Sequence, residues 1–362
     1  MGPSIVSKHR IAILGAGGIA AKMHLPGLAA LSDRCEVRLI AGRRESRLKR
    51  LTERFDVGEY TTSYDAAATR DDIDAVIIAT PHPQHVAWGV KAIEAGKHLM
   101  VQKPLCGDRA EADAFIAAVE TGDRTVMCLP DFSPAIYAVR QQIAQDALGK
   151  ITGARARTSH GGPEVYYREV SEIFGEAEQD QLWFFDASQA SVGALFDMGV
   201  YAVAQLVALL GSVRQVTGRT ATLDKPTQLE DTASLLLEFD SGVLATAETS
   251  WCDAARTWQW SVHGTAGKFT KNGNGPDELV LSQPERMDSD HAPIKHRELT
   301  TSEVEAAGVG EAHAHWLDCI DRGEHPPLSH AWAARHVTDV LLAGLESAKH
   351  GQPVTVTSKA QR

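Results

Sequence analysis

Lys103 follows the apolar run His98-Leu99-Met100-Val101 and so stands at the carboxyl end of a strand, where open α/β sheets hold their ligands. Pro104 fixes the backbone after it and restrains Lys103 to an extended conformation. Far downstream, Asp197 and Tyr201 fall four residues apart within residues 194–210. That stretch is apolar almost all round and reads as a buried helix, so the two side chains share one face. A buried carboxylate needs a partner, and Lys103 is the natural one. An ammonium beside a phenol favours the phenolate, so the trio suits proton transfer at an oxygen. The plainer alternative makes Tyr201 a core anchor and Asp197 a cap on neighbouring backbone.

Near the start of the chain, Ile11-Ala12-Ile13-Leu14 reads as a buried strand that runs into Gly15-Ala16-Gly17-Gly18-Ile19-Ala20. This is the G-x-G-x-x-A dinucleotide fingerprint. Gly15 allows the tight turn, Gly17 lets the pyrophosphate reach the backbone, and Ala20 is small enough for helix and sheet to pack. The phosphates would sit on unpaired N–H groups at the helix start, Gly18 and Ile19 included. An ordinary glycine turn shares the pattern, but the strand before and the helix after favour the fingerprint. The second strand, Val37-Arg38-Leu39-Ile40-Ala41, ends in Gly42-Arg43-Arg44 with no carboxylate before Glu45. An acid at that point binds the ribose 2′-hydroxyl of NAD, whereas arginines accommodate the 2′-phosphate of NADP. NADP is therefore the favoured cofactor, with NAD possible. A solvated basic turn continuing into Arg47, Lys49 and Arg50 is the bland alternative.

At 362 residues the chain is long for one core, so two domains are expected, residues 1–130 and 131–362. Ala75-Val76-Ile77-Ile78-Ala79 and residues 125–129 add strands to those above, with helical patterns between them, the one at 20–31 being disturbed by Pro26. Alternation of that kind means βαβ units and a doubly wound parallel sheet. Past residue 130 the pattern becomes that of an antiparallel sheet with one face covered. Residues 151–159 alternate like a strand, 231–251 form a hairpin about Asp240-Ser241-Gly242, and 258–271 form another. Residues 161–180 read as loop-rich and acidic, and 272–301 as a polar exposed excursion. The fold class is thus α/β followed by α+β.

Hydrophobic residues make up 43% of the chain and charged residues 23%, the composition of a soluble globular protein. The net charge of −11 disfavours nucleic acid or an anionic membrane as a partner. No apolar run approaches a membrane span and residues 1–10 hold no signal-peptide core. The five cysteines are scattered and odd in number, which fits a reducing, cytoplasmic setting. His313-x-His315 lacks a third ligand at suitable spacing, so no metal is expected and surface or interface packing is the better reading.

In order and spacing, several pieces resemble the glucose–fructose oxidoreductase / inositol dehydrogenase family: GAGGIA at 15–20, DAVIIATPHPQH at 74–85, AGKHLMVQKP at 95–104, GALFDMGVY at 193–201 and EAHAHWLDCIDRG at 311–323. The resemblance covers most of the chain. It implies a Rossmann domain followed by a larger domain with an open, mainly antiparallel sheet covered by helices on one face, a nicotinamide cofactor, and a sugar, cyclitol or similar polyol as substrate. Lys103 would touch the reacting oxygen and the cofactor, Tyr201 would be the acid/base, and Asp197 would hold Lys103 charged and orient substrate hydroxyls. The family's usual glutamate before the lysine is Gln102 here, one negative charge fewer. Thr80-Pro81-His82 and His85 should line the nicotinamide side. Trp183, in Trp183-Phe184-Phe185, is a candidate for stacking on a sugar ring, and clustered aromatics also serve as core; His160, at a strand end, is a weaker pocket candidate. The family's sheet pairs between subunits, so a homodimer or homotetramer is expected. Two other classes stay open. One is a glycosidase or lyase that uses bound NAD(P) in a closed redox cycle. The other is a non-catalytic NADPH-binding regulator, for which an intact Lys103, Asp197 and Tyr201 set would have no use.

Overall fold

The computed structural model describes residues 8–177, 182–190, 192–273, 279–306 and 309–361. Its first compact unit comprises residues 1–131, 164–180 and 312–331, and its second comprises 132–163, 181–311 and 332–362. A single boundary after residue 130 would have put 164–180 and 312–331 in the other unit.

The first unit is built on six parallel strands: β1 (His9–Leu14), β2 (Cys35–Ala41), β3 (Glu59–Thr61), β4 (Ala75–Ile78), β5 (His98–Val101) and β6 (Val126–Cys128). Their order, β3-β2-β1-β4-β5-β6, reverses between β1 and β4, which is the switch point where such sheets bind ligands. The last four residues of β1 and all of β4 are buried, as expected of strands covered on both faces. β3, three largely exposed residues at the edge, had no sequence signal. Helix Pro163–Phe174 replaces the loop expected at 161–180. Proline at its first position, Glu164 in its first turn, and an apolar stripe of Tyr166, Val170, Ile173 and Phe174 explain it: that stripe packs into the core formed by Ile11, Ile13, Leu48 and Trp316. Helix Ala312–Arg322 adds Trp316, Leu317 and Ile320 to the same core.

The second unit is a nine-stranded sheet. Its strands are β7 (Ile151–Ser159), β8 (Val213–Ala221), β9 (Thr232–Phe239), β10 (Leu244–Ser250), β11 (Thr257–Gly264), β12 (Gly267–Asn272), β13 (Leu279–Pro284), β14 (Ile294–Glu298) and β15 (Val354–Thr355). The order is β14-β13-β12-β11-β7-β10-β9-β8-β15, antiparallel except where β7 and β10 run side by side. Burial alternates along β9, the signature of one covered face. The expected excursion at 272–301 instead carries β13, with Leu279 and Leu281 buried, and β14, which is exposed throughout. By length and composition alone the stretch from Ala187 to Leu210 could cross a membrane, contrary to the sequence expectation, but 89% of its most apolar part is buried inside the protein.

Candidate active site

In the first unit the turn after β1 has the geometry its glycines demand. Gly15 has φ +117°, and a Cβ there would lie 2.3 Å from the Ala79 carbonyl oxygen. Around Gly17 a Cβ would meet nothing within 4 Å, so its backbone faces open space, the approach a pyrophosphate requires. Gly18 is small for a different reason: a Cβ would strike Tyr166 and Val170 of helix Pro163–Phe174. Beyond it the helix widens into a π-turn, Ala20–His24, before Leu25–Ala29. The disturbance expected from Pro26 thus falls just ahead of it, where the Leu25 N–H reaches back to the Ala20 carbonyl.

At the ends of β4 and β5, Thr80, His82, His85 and Gln102 are all buried and Lys103 is partly exposed. His85 does not face outward. Its Nδ1 lies 2.8 Å from the Pro104 carbonyl and its Nε2 2.8 Å from that of Thr80, so the ring ties one ligand-facing loop to the other. Burial pushes it down to about 4, against the pull of those two carbonyls. The Lys103–Pro104 peptide it braces is cis. The Thr80 hydroxyl is buried with no hydrogen-bond partner among the described residues, an acceptor and donor left for a ligand at the switch point.

Gln102 turns inward. Its amide Nε2 donates to His24 Nε2 at 3.0 Å, and His24 Nδ1 in turn lies 2.9 Å from His313 Nε2. With Nε2 accepting, the His24 proton sits on Nδ1 and is donated to His313. Burial, then the neighbouring His313, drives His24 down to about 3. His315 faces Asp131 at 3.2 Å. Burial opposes its charge, but hydrogen bonds to Asp131 and Cys319 outweigh this and raise it to about 9. Both histidines of the His313-x-His315 pair are therefore buried, not superficial. No group able to hold a metal occurs among the described residues.

The basic end of β2 is also more structured than the sequence suggested. Arg43 is exposed, whereas Arg44 Nη1 donates to Glu176 Oε2 at 2.7 Å and Arg47 Nε to Glu176 Oε1 at 2.7 Å.

In the second unit the acid is held by its own sheet. Asp197 lies in a second π-turn, Leu195–Gly199, that leads into helix Val200–Leu210. A threonine hydroxyl takes up one carbonyl of that turn: Thr158 donates to Met198 at 2.5 Å, and the Thr249 hydroxyl in turn donates to the Thr158 carbonyl at 2.8 Å. Glu230 accepts the Gly193 and Leu195 N–H groups at 3.1 Å each, capping the segment. Asp197 Oδ2 receives the Trp251 indole N–H at 2.9 Å and faces His160 Nε2 at 3.4 Å. Because His160 Nδ1 accepts the Gly162 N–H at 2.8 Å, the proton lies on Nε2 and points at Asp197. Tyr201 packs on Trp258, ring centroids 4.7 Å apart, and Trp183 on Phe184 at 4.1 Å. Phe184, Phe185, Tyr201 and Trp258 all gather on Ala194, Met198 and Trp251.

Two family models match the chain. One, the oxidoreductase family with an NAD-binding Rossmann fold, covers residues 9–129; the other, the GFO/IDH/MocA C-terminal domain, covers residues 136–270. The chain belongs to the GFO/IDH/MocA oxidoreductase family. It is an NAD(P)-dependent dehydrogenase or reductase. Among relatives of this family, it is 29% identical over 275 residues to a dTDP-3,4-didehydro-2,6-dideoxy-alpha-D-glucose 3-reductase from Actinomadura kijaniata, spanning 75% of this chain and 76% of that one. It is 28% identical over 262 residues to D-xylose 1-dehydrogenase (NADP(+)) 2 of Haloferax volcanii, spanning 72% and 74%. In fold it matches levoglucosan dehydrogenase in complex with NADH, with a TM-score of 0.83 at 22% identity over 97% of this chain and 100% of the other.

In this GFO/IDH/MocA member, several side chains that hold these segments in place carried no sequence signal. Trp251 and Glu230 carried no motif. His24 and His313 are far apart in sequence, and the Glu176 contact links residues more than a hundred positions from one another. The amide of Gln102 faces inward, and a neutral partner suits a histidine kept neutral by burial.

Proposed function

We propose that this protein is an NADP(H)-preferring oxidoreductase that moves a hydride to or from a secondary hydroxyl or carbonyl carbon of a sugar, cyclitol or similar polyol. The observation that carries this reading is the setting of Asp197, an acid fixed by Trp251 and His160 among aromatic rings. Rings suit the apolar face of a sugar, and a fixed carboxylate suits its hydroxyls.

The open backbone at Gly17, the helix start at Gly18 and Ile19, and the unpartnered Thr80 hydroxyl fit a bound dinucleotide, and the arginines after Gly42 favour the phosphorylated form. When bound, the nicotinamide supplies the hydride chemistry. Tyr201 then gives or takes the hydroxyl proton, Lys103 donates a hydrogen bond to the reacting oxygen as negative charge develops there, and Asp197 orients the neighbouring hydroxyls. Trp183 and His160 belong to the substrate pocket. A cytoplasmic setting agrees with five free cysteines, and a homodimer or homotetramer with exposed Leu236 and Leu244 on the open sheet.

The test is a fluorescence titration of NADPH and NADH against purified protein, followed by a sugar and polyol panel. Substrate-dependent loss of the NADPH signal is expected, and Lys103→Met or Tyr201→Phe should lower turnover by about 10²- to 10⁴-fold while nucleotide binding persists. Full turnover in either variant sinks the assignment. Cofactor retained through purification with glycoside cleavage and no net change in NADPH would instead favour the closed-cycle enzyme, and binding without any turnover the regulator.

A further inference from the structure

The end of β2 has no acid of its own, yet it is not without a carboxylate. Helix Pro163–Phe174 ends at Gly175, which adopts φ +59°; the Glu176 N–H then bonds back to the Ser171 carbonyl at 2.9 Å. This is a helix stop that only a residue tolerant of the left-handed region makes cheaply, and it fixes the direction of the next side chain. Glu176 is thereby aimed at the arginines that follow β2. One oxygen accepts from Arg44 at 2.7 Å, the other from Arg47 Nε at 2.7 Å, and a second, shorter contact joins Arg47 Nη2 to the same carboxylate.

This is not an ordinary surface ion pair. The Arg47 side chain is only 12% exposed and Glu176 25%, and the Arg47 guanidinium lies over the Phe174 ring at 4.4 Å. Arg50 also donates to the Ile173 carbonyl at 3.2 Å, so the end of the helix is held along the whole basic face of helix Glu45–Phe55. The fork-to-fork geometry that Arg47 offers Glu176 is the one a guanidinium would offer a phosphate. Arginines after the second strand are where a dinucleotide fold reads the adenosine ribose. The Glu176 carboxylate takes one donor of Arg44 and the fork of Arg47, both in that segment.

We infer that Glu176 is a cofactor-selectivity residue: it competes with the 2′-phosphate for Arg44 and Arg47 and so limits the preference for NADPH over NADH. The inference rests on the nucleotide-binding reading given above. Arg43, exposed beside the pair, is the cation that Glu176 does not hold in these contacts. Hydrogen bonds from arginine hold the Glu176 carboxyl below the usual carboxylate range, so it stays charged and competing at neutral pH.

The experiment is a fluorescence titration of NADPH and NADH against wild type, Glu176→Gln, Glu172→Gln, and Glu176→Gln combined with Arg44→Met. Glu176→Gln should tighten NADPH by about tenfold and leave NADH within about twofold, because charged hydrogen bonds of this kind are each worth roughly a tenfold change in affinity. Glu172 is exposed on the same helix, and its substitution removes an equal charge without touching the arginines, so that variant should leave both nucleotides within about twofold. Adding Arg44→Met should cancel the gain. Equal NADPH affinity in wild type and Glu176→Gln overturns the inference, as does an equal gain in Glu172→Gln or a parallel loss of NADH in Glu176→Gln. Failure of wild type to bind either nucleotide overturns the nucleotide reading itself, and this inference with it.

Discussion

The π-turn Ala20–His24 surrounds its histidine with neutral partners, whereas the π-turn Leu195–Gly199 sets its aspartate among ionisable and aromatic ones. His24 is wholly buried, bonded to an amide on one side and an imidazole on the other. Asp197 keeps 13% of its side chain exposed, and its His160 partner 23%. Both turns interrupt a helix that follows a glycine-containing lead-in, and both aim a polar side chain away from the regular helical row. The first keeps its histidine buried and neutral, so that side chain works as packing. The second pairs its carboxyl group with an imidazole and keeps a route to solvent, which proton chemistry needs.

The largest effect expected from breaking this contrast lies at Asp197. Asp197→Asn keeps the shape and the contact with the Trp251 indole but removes the charge. Turnover should fall by about 10²-fold or more while NADPH affinity is unchanged; unaltered turnover would place Asp197 with the packing residues. Gln102→Glu should do the reverse and make the first turn resemble the second. In the wild type, His24 titrates at about 3 when folded, below its ordinary 6.5. Its contribution is therefore complete above pH 6.5 and is lost as the pH falls, by about 2 kcal/mol between pH 6.5 and 5. A carboxylate at 102 would draw a proton onto His24 and raise its folded value, so this acid limb should flatten in denaturant melts at pH 5 and 7. An unchanged limb would show that the neutral network is not what Gln102 maintains. The smallest effect is expected at Trp183, partly exposed and stacked on Phe184. Trp183→Ala should raise KM several-fold with little change in kcat, the loss of one stacking surface; an equal fall in kcat would make it part of the chemistry.

The parallel strands were legible because β-branched and apolar runs such as Ala75–Ile78 have few other uses, and the fingerprint because Gly15 needs its positive φ. The hairpins of the second unit declared themselves by alternation about a short turn. Helix Pro163–Phe174 did not: its tyrosines, valines and phenylalanine are weak helix formers, and the surface that stabilises it is supplied by residues far back in the chain. For the site, Asp197, Tyr201 and Lys103 stood out by type and spacing. Their supports did not, because a π-turn leaves no periodic signal, and Trp251, Glu230 and Glu176 act through distant pairings that local sequence does not encode.

The first unit is assembled from three separate stretches, 1–131, 164–180 and 312–331. During synthesis its six strands emerge early, but Trp316, Leu317 and His313, which fill the space beside Leu25, Leu28 and His24, emerge only near the end. At a translation rate of about 5–20 residues per second, the nascent sheet waits roughly 10–40 s for its last wall. Until then it exposes apolar surface that a chaperone or an unwanted neighbour could cover, so a chain stopped short of residue 331 should be far more prone to aggregation than its intact Rossmann sequence suggests.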